Sequence, residues 1–195
     1  NLIILYAQNK DEQYTYIESA KEKGYEVLLL DSPIIPHLMQ KLESKKEKIK
    51  FSRVDSDTLE NLIKKDEEVI SKLTDEEKEK LKPIIETAVE NEKYTVQLEA
   101  LDSNSMPFML AQPEFMRRMK EMQQTGGGAM GNLPEMYSLI VNTNHELVGK
   151  ILNTRTEKKR NSLIKQSIDL AKLSQNNLTG KDLTEFINRS IDLIK

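Results

Sequence analysis

The sequence predicts an α/β unit followed by an α+β unit: a small, mainly parallel β-α-β unit, an acidic helical connector, then a mixed small sheet with helices and a C-terminal helical hairpin. Three observations predict this. Up to residue 54, short apolar runs of strand length alternate with stretches of helical period, the order of a parallel sheet with crossover helices. Residues 55–92 hold thirteen acidic and six basic side chains, a net −7 in a chain whose total is −3. Beyond residue 92, alternating strands are interleaved with helices, and two amphipathic helices close the chain. The expected divisions are therefore 1–54, 55–92 and 93–195. A chain of 195 residues can bury one good core or two small ones.

Taken in order, Leu2 to Ala7 reads as a buried strand. Asp11 to Lys23 reads as a helix ended by Gly24, with Tyr14, Ile17 and Ala20 on one face. Tyr25 to Leu30 is apolar nearly throughout, as in a strand covered on both sides. Ile34 to Leu42 forms a short helix, and Ile49 to Val54 alternates as a third strand. In the acidic stretch, Leu59, Leu62 and Ile63 mark one short helix. Thr74 and Glu77 have the spacing of a capping box that opens another, with Pro83 as a candidate kink. Tyr94 to Leu101 and Pro107 to Ala111 read as strands joined through Asp102–Ser105, and Met136 to Asn142 as a third. Thr143–Glu146 caps a helix carrying Leu147, Val148, Ile151 and Leu152. Of the closing helices, Glu157–Ser174 carries Leu163, Ile164, Ile168 and Ala171, with Leu170 and Leu173 beside them. Asp182–Ile194 carries Leu183, Ile187, Ile191 and Ile194, with Phe186 beside them. A hairpin so apolar needs a covering: the chain's own sheet, a second copy giving a four-helix bundle, or one for each face.

Composition narrows the function classes. The acidic balance argues against nucleic acid as the main partner. Zero cysteines exclude disulfides and thiolate metal sites and fit a reducing compartment. No apolar run approaches the ~18 residues of a membrane span. The chain opens directly in a strand and lacks an initiator methionine, which suggests a piece of a longer protein.

Seven of the eight methionines lie between Met106 and Met136. Within that stretch, Gln112–Gln124 has the pattern of a short amphipathic helix with Pro113 at its first position. At ~100° per residue, Phe115, Met119 and Met122 share one narrow stripe with Met116 at its edge, and Arg117, Lys120, Glu121 and Gln124 lie opposite. Gly126–Gly128 stops the helix and begins a glycine tether. The stripe either packs into the chain's own core, which the pattern alone favours, or stays accessible to apolar segments of other proteins. Methionine suits the second role because its unbranched, polarizable side chain adapts to many shapes.

Catalytic signatures are missing. There is no glycine-rich phosphate cradle. His37 and His145 lack partners at ligand spacing, and His145 stands at a helix start, as a structural residue would. Asp31, Ser32 and His37 contain a triad's residue types, but Ser32 sits in no nucleophile elbow and precedes a proline. Arg155, Lys158, Lys159 and Arg160 have no interleaved aromatics and read as a solvated helix face.

The order of parts resembles a known family. Gly24-Tyr-Glu-Val-Leu-Leu-Leu30, followed by Asp-x-Pro-Ile and a helix, is similar to the end of the middle domain in the ninety-kilodalton heat-shock chaperones. Val54–Leu101 resembles the junction into their C-terminal domain, and Leu101-Asp-Ser-Asn-Ser-Met-Pro107 the segment before its amphipathic helix. Val141-Asn-Thr-Asn-His-Glu-Leu-Val148 resembles the family's Leu-Asn-Pro-x-His segment, with Thr143 in place of the proline, a departure expected to have little effect. Phe186–Ile194 is similar to the final dimerisation helix. The likeness covers essentially the whole chain and is closest to the bacterial form.

The resemblance implies a stress-response chaperone that is cytoplasmic, homodimeric and driven by ATP with magnesium. The nucleotide pocket and catalytic arginine lie in domains outside this chain, so no catalytic or metal site and no cofactor is expected in it. The resemblance assigns client binding to Phe115, Met116, Met119 and Met122. It assigns the dimer interface to Leu163, Ile164, Ile168, Ala171, Leu183, Phe186, Ile187, Ile191 and Ile194. It reverses the lean from pattern alone: the methionine helix is expected to be partly exposed. Expected partners are a second copy and partly unfolded proteins, not nucleic acid or membrane. Tetratricopeptide co-chaperones are not expected, since the acidic Met-Glu-Glu-Val-Asp ending is absent. The alternatives are a methionine-rich signal-sequence-binding module, which would be all-helical and basic, and a dimeric scaffold without chaperone function.

Overall fold

A computed structural model of the chain describes residues 2–63, 69–89, 93–126 and 136–194. Among these are eight helices and two three-stranded sheets, one parallel and one mixed. The chain divides into two compact units, one of residues 1–66 with 111–136, the other of 67–110 with 137–195.

In the first unit β1 (Leu2–Ala7) lies between β2 (Leu28–Leu29) and β3 (Ile49–Arg53), parallel to both. Helix α1 (Tyr14–Glu22) connects β1 to β2, and α2 (Ile35–Lys45) connects β2 to β3. Because strand side chains alternate, β1 feeds two cores. Leu5 and Ala7 pack with Ile17 and Ala20 of α1, and Tyr6 packs with Met39 of α2 and Phe51 of β3. The stop of α1 follows from Gly24, whose φ of 81° is open to glycine without strain. Gly24 N–H donates to Lys21 O (2.8 Å) and Tyr25 N–H to Ala20 O (2.9 Å), the paired bonds of a Schellman end. A short helix, α3 (Leu59–Leu62), follows the sheet, with Thr58 Oγ1 accepting from Asn61 N–H (3.3 Å).

The second strand departs from expectation. Tyr25–Leu30 reads as a doubly covered strand, but only Leu28 and Leu29 pair, at the sheet's edge, and both are exposed. An apolar run cannot by itself tell a central strand from an edge strand; neighbours decide that.

In the second unit α4 (Asp75–Glu86) opens with the expected reciprocal cap: Glu77 N–H donates to Thr74 Oγ1 (3.2 Å) and Thr74 N–H to Glu77 Oε2 (2.9 Å). Pro83 lies inside this helix. The sheet has the order β4-β6-β5, from β4 (Tyr94–Glu99), β5 (Phe108–Ala111) and β6 (Tyr137–Asn142). The strands adjacent in sequence, β4 and β5, are thus separated by β6, which pairs in parallel with β4 from Tyr94↔Tyr137 to Glu99↔Asn142. Helices α6 (Glu146–Asn153), α7 (Glu157–Ser174) and α8 (Gly180–Ile194) complete the unit. Its core joins Leu81 and Ile85 of α4, Phe108, Leu139 and Val141 of the sheet, and Ile151, Ile164, Ile168 and Ala171 of the later helices.

The turn between β6 and α6 ties this unit together through a buried amide pair. Asn142 Oδ1 accepts from Leu101 N–H (3.2 Å), and its Nδ2 donates to Asp102 O (2.8 Å). Asn144 Nδ2 donates to the carbonyls of Ile70 and Leu101 (3.0 Å each), and its Oδ1 accepts from Lys72 N–H (2.6 Å). Thr143 N–H donates to Glu99 O (2.8 Å), a bond proline could not make. His145 Nδ1 accepts from Leu147 N–H (3.1 Å), so its role here is a helix cap.

Candidate functional site

The methionine helix is α5 (Glu114–Gly126), and the glycine tether beyond Gly126 lies outside the described residues. An amphipathic helix ordinarily buries its apolar stripe and leaves its charges in water. Here the charged side is the seated one. Arg117 is only 3% exposed, whereas Phe115 is 70% exposed. Met116, Met119 and Met122 are half-buried.

What seats α5 is a polar network within the first unit. Glu114 Oε1 accepts from the Tyr6 hydroxyl (2.8 Å), from Arg117 Nη2 (2.6 Å) and from Arg118 Nε (2.7 Å). Arg117 also donates to Glu121 and to the Tyr6 hydroxyl oxygen, and its guanidinium stands 5.6 Å from the centroid of the Tyr6 ring. Arg118 Nη1 reaches Glu43 Oε2 on α2 (2.7 Å). At the ends of β1 and β3, Arg53 Nη1 donates to Gln8 Oε1 (2.9 Å) and its Nη2 to Asp55 Oδ2 (3.0 Å).

The titration behaviour follows from this arrangement. Burial pushes the Glu114 carboxyl up, but the charge and hydrogen bond of Arg117, the bond from Tyr6 and the charge of Arg118 outweigh it and hold Glu114 below the usual glutamate range. Burial, then the neighbouring Glu114 charge, pushes the Tyr6 phenol above the ordinary tyrosine range. Burial works against the charge on Arg117 and Arg118, yet their carboxylate partners more than offset it and raise both. At neutral pH two firmly charged guanidiniums, those of Arg117 and Arg118, thus hold an ionised Glu114.

The closing helices sort the proposed interface residues by exposure. Ile164, Ile168 and Ala171 are buried in the second unit's own core, Phe186 is also buried, and Leu163 and Leu183 are half-buried. Ile187 and Ile191 are each 47% exposed and Ile194 85%. These three recur at i, i+4 and i+7 along one face of α8. Leu170 and Leu173 of α7 are also exposed. The hairpin is pinned from within: Arg189 pairs with buried Asp169, Arg189 Nε donates to Gln166 Oε1 (3.3 Å), and Gln166 Nε2 donates to Ser190 Oγ (2.9 Å).

Sequence reasoning missed Tyr6, Glu43, Glu114 and Arg118, and placed Arg117 only as a charge opposite the stripe. A signal was present: Glu114, Arg117, Arg118 and Glu121 stand at i, i+3, i+4 and i+7, so opposite charges meet along one helix side. No group of three or more His, Asp or Glu side chains gathers to hold a metal among the described residues. No described helix is long and apolar enough to cross a membrane.

This geometry presents apolar side chains on a mixed α/β scaffold. No protein-family profile matches the chain. Curated relatives do. The chaperone protein htpG of Bacteroides fragilis strain 638R is 33% identical to it, and HtpG of Bacteroides thetaiotaomicron 34%, in alignments that take in all of this chain and 39% of each relative. HtpG of Porphyromonas gingivalis strain ATCC 33277 is 39% identical across 88% of this chain and 26% of its own length. The matched part of these relatives is C-terminal. The chain belongs to the bacterial HtpG branch of the ninety-kilodalton heat-shock chaperones. It spans about two fifths (39%) of the length of the first two relatives.

Proposed function

We propose that this chain is the dimerisation and client-contact part of a cytoplasmic, ATP-dependent chaperone. In this reading residues 1–54 are the end of a middle domain, 55–92 a connector and 93–195 the C-terminal domain. The chain works by binding and catalyses nothing itself; ATP and magnesium act in the longer protein. Partly unfolded proteins meet the stripe of Phe115, Met116, Met119 and Met122, while α7 and α8 hold a second copy. The observation that carries the reading is the 70% exposure of Phe115 at the head of a helix seated by its charges. The homology to HtpG supports it. For the dimer, the exposed Ile187, Ile191 and Ile194, with Leu170 and Leu173, are the side chains available to a partner. Ile164, Ile168 and Ala171 contribute from beneath, by holding α7 in place.

Burying one such apolar side chain stabilises a contact by ~1.5–3 kcal/mol, so three can retain an unfolded segment weakly and reversibly. Replacing Phe115, Met119 and Met122 together with Ser is expected to abolish most of the chain's suppression of aggregation of a thermally unfolded reporter protein, read by light scattering. Suppression equal to the unmodified chain would remove the client role from this helix.

A further inference from the structure

The seat of α5 is made partly of main-chain groups. In a parallel sheet, successive residues of a strand turn their N–H and C=O to opposite neighbours. Toward β1, Val54 N–H donates to Tyr6 O (2.9 Å), and Lys48 O accepts from Leu2 N–H (2.6 Å). The main-chain groups of Phe51 and Arg53 therefore face the other way, and among the described residues β3 has no strand beyond it. That edge is covered by side chains. Phe51 N–H donates to Glu43 Oε1 (2.7 Å), Phe51 O accepts from Arg118 Nη2 (2.8 Å), and Arg53 N–H donates to Glu114 Oε2 (3.3 Å). Arg118 joins the two carboxylates by its bonds to both.

An unpaired strand edge must be covered or made unattractive, and here the cover is the charged side of the helix that carries Phe115. We propose that Glu43, Glu114 and Arg118 are positioning residues for α5: they dock its charged side on the open edge of β3, and this docking aims Phe115 outward. Without them the apolar stripe is the better face to bury, and α5 turns or leaves. The consequence for an apolar partner rests on the client-contact reading above; the docking itself does not.

The chain contains six tyrosines but no tryptophan, so Phe115→Trp supplies a single indole at the projecting position, excited selectively at the red edge of its absorption. In that background Arg118→Glu sets three carboxylates against one another. The Arg53 amide is expected to exchange at least about tenfold faster, the scale set by one charge-assisted hydrogen bond, and acrylamide quenching of the tryptophan to change. The next amide, Val54, points to β1 and keeps its rate. Adding Glu43→Arg restores an opposite pair across α2 and α5 and recovers part of the Arg53 protection. An unchanged Arg53 rate, equal acceleration of Val54, or no recovery with Glu43→Arg overturns the proposal. If the amides and the quenching respond as expected but the Phe115/Met119/Met122→Ser chain still suppresses aggregation fully, the docking stands and the client role falls.

Discussion

Glu114 is an acid-sensitive point of the first unit. Its carboxylate faces the Tyr6 hydroxyl from β1, the Arg53 amide from β3, and Arg117 and Arg118 from its own helix. Glu43 stands behind Arg118, Glu121 pairs with Arg117, and the Arg53 guanidinium, held by Asp55, lies 3.9 Å from Glu121. Its pKa is depressed in the folded chain, so its stabilisation is fully present above the ordinary glutamate value of ~4.3 and is lost as pH falls through the lower folded value. Acidification below that range is expected to loosen α5, seen as faster exchange of the Arg53 amide, and Glu114→Gln is expected to remove that part of the pH dependence. An unaltered acid limb in Glu114→Gln would place the titrating group elsewhere. At this scale the sequence was legible in residue types and silent about partners. The charges of α5 are visible as a pattern, but Tyr6 lies 108 positions from Glu114 and Glu43 lies 75 from Arg118, and nothing local announces a contact across such a distance. Asn142 and Asn144 show the same limit. Asn142 reads as the end of a strand and Asn144 as part of a helix cap, yet their amides satisfy backbone groups in two other stretches, 70–72 and 101–102.

Elements were legible wherever their cause is local. The Thr74/Glu77 box, the Gly24 stop and the His145 start each depend on residues within a few positions, and each element begins or ends there. Asn176 was not singled out, but it does for α7 what Gly24 does for α1. Its φ is 54°, and Asn177 N–H donates to Lys172 O (2.8 Å); asparagine is the residue after glycine that best tolerates this conformation. What is not local misleads. Tyr25–Leu30 has the composition of a central strand, but only two of its residues pair. The stripe of α5 has the period of a core-facing helix, but the other side is seated, because Glu114 and Arg118, with Glu43 of α2, can satisfy a bare strand edge and apolar side chains cannot. The capping box gives the measurable case: Thr74→Ala leaves one N–H of the first turn without its acceptor and is expected to lower the second unit's stability by ~1 kcal/mol, seen as a shifted urea midpoint with an unchanged slope. No shift would mean that α4 contributes nothing to the unit's cooperative unfolding.

For the whole molecule, the question is what covers α8. Three isoleucines at i, i+4 and i+7 remain exposed on a helix whose other side is already packed, so the hairpin has one apolar face for its own core and one left over. A second copy is the economical partner, since a two-fold axis sets the same stripe against itself and uses each residue twice. The two units' own cores do not need it: Ile164, Ile168 and Ala171 are buried within one chain. This separation makes the interface testable without unfolding. Ile187→Lys with Ile191→Lys places four ammonium groups in a two-fold contact and removes four isoleucines, each worth ~1.5–3 kcal/mol when buried, against a tenfold loss of affinity for every ~1.4 kcal/mol. On the proposed reading the unmodified chain is expected to sediment as a dimer and the variant as a monomer at the same concentration, with its helical circular dichroism retained. Ile164→Lys supplies the contrast: it buries a charge in the core and is expected to lose the fold itself. An unchanged dimer in the double variant would take the interface off this face of α8 and leave Leu170 and Leu173 of α7 as the next surface to test.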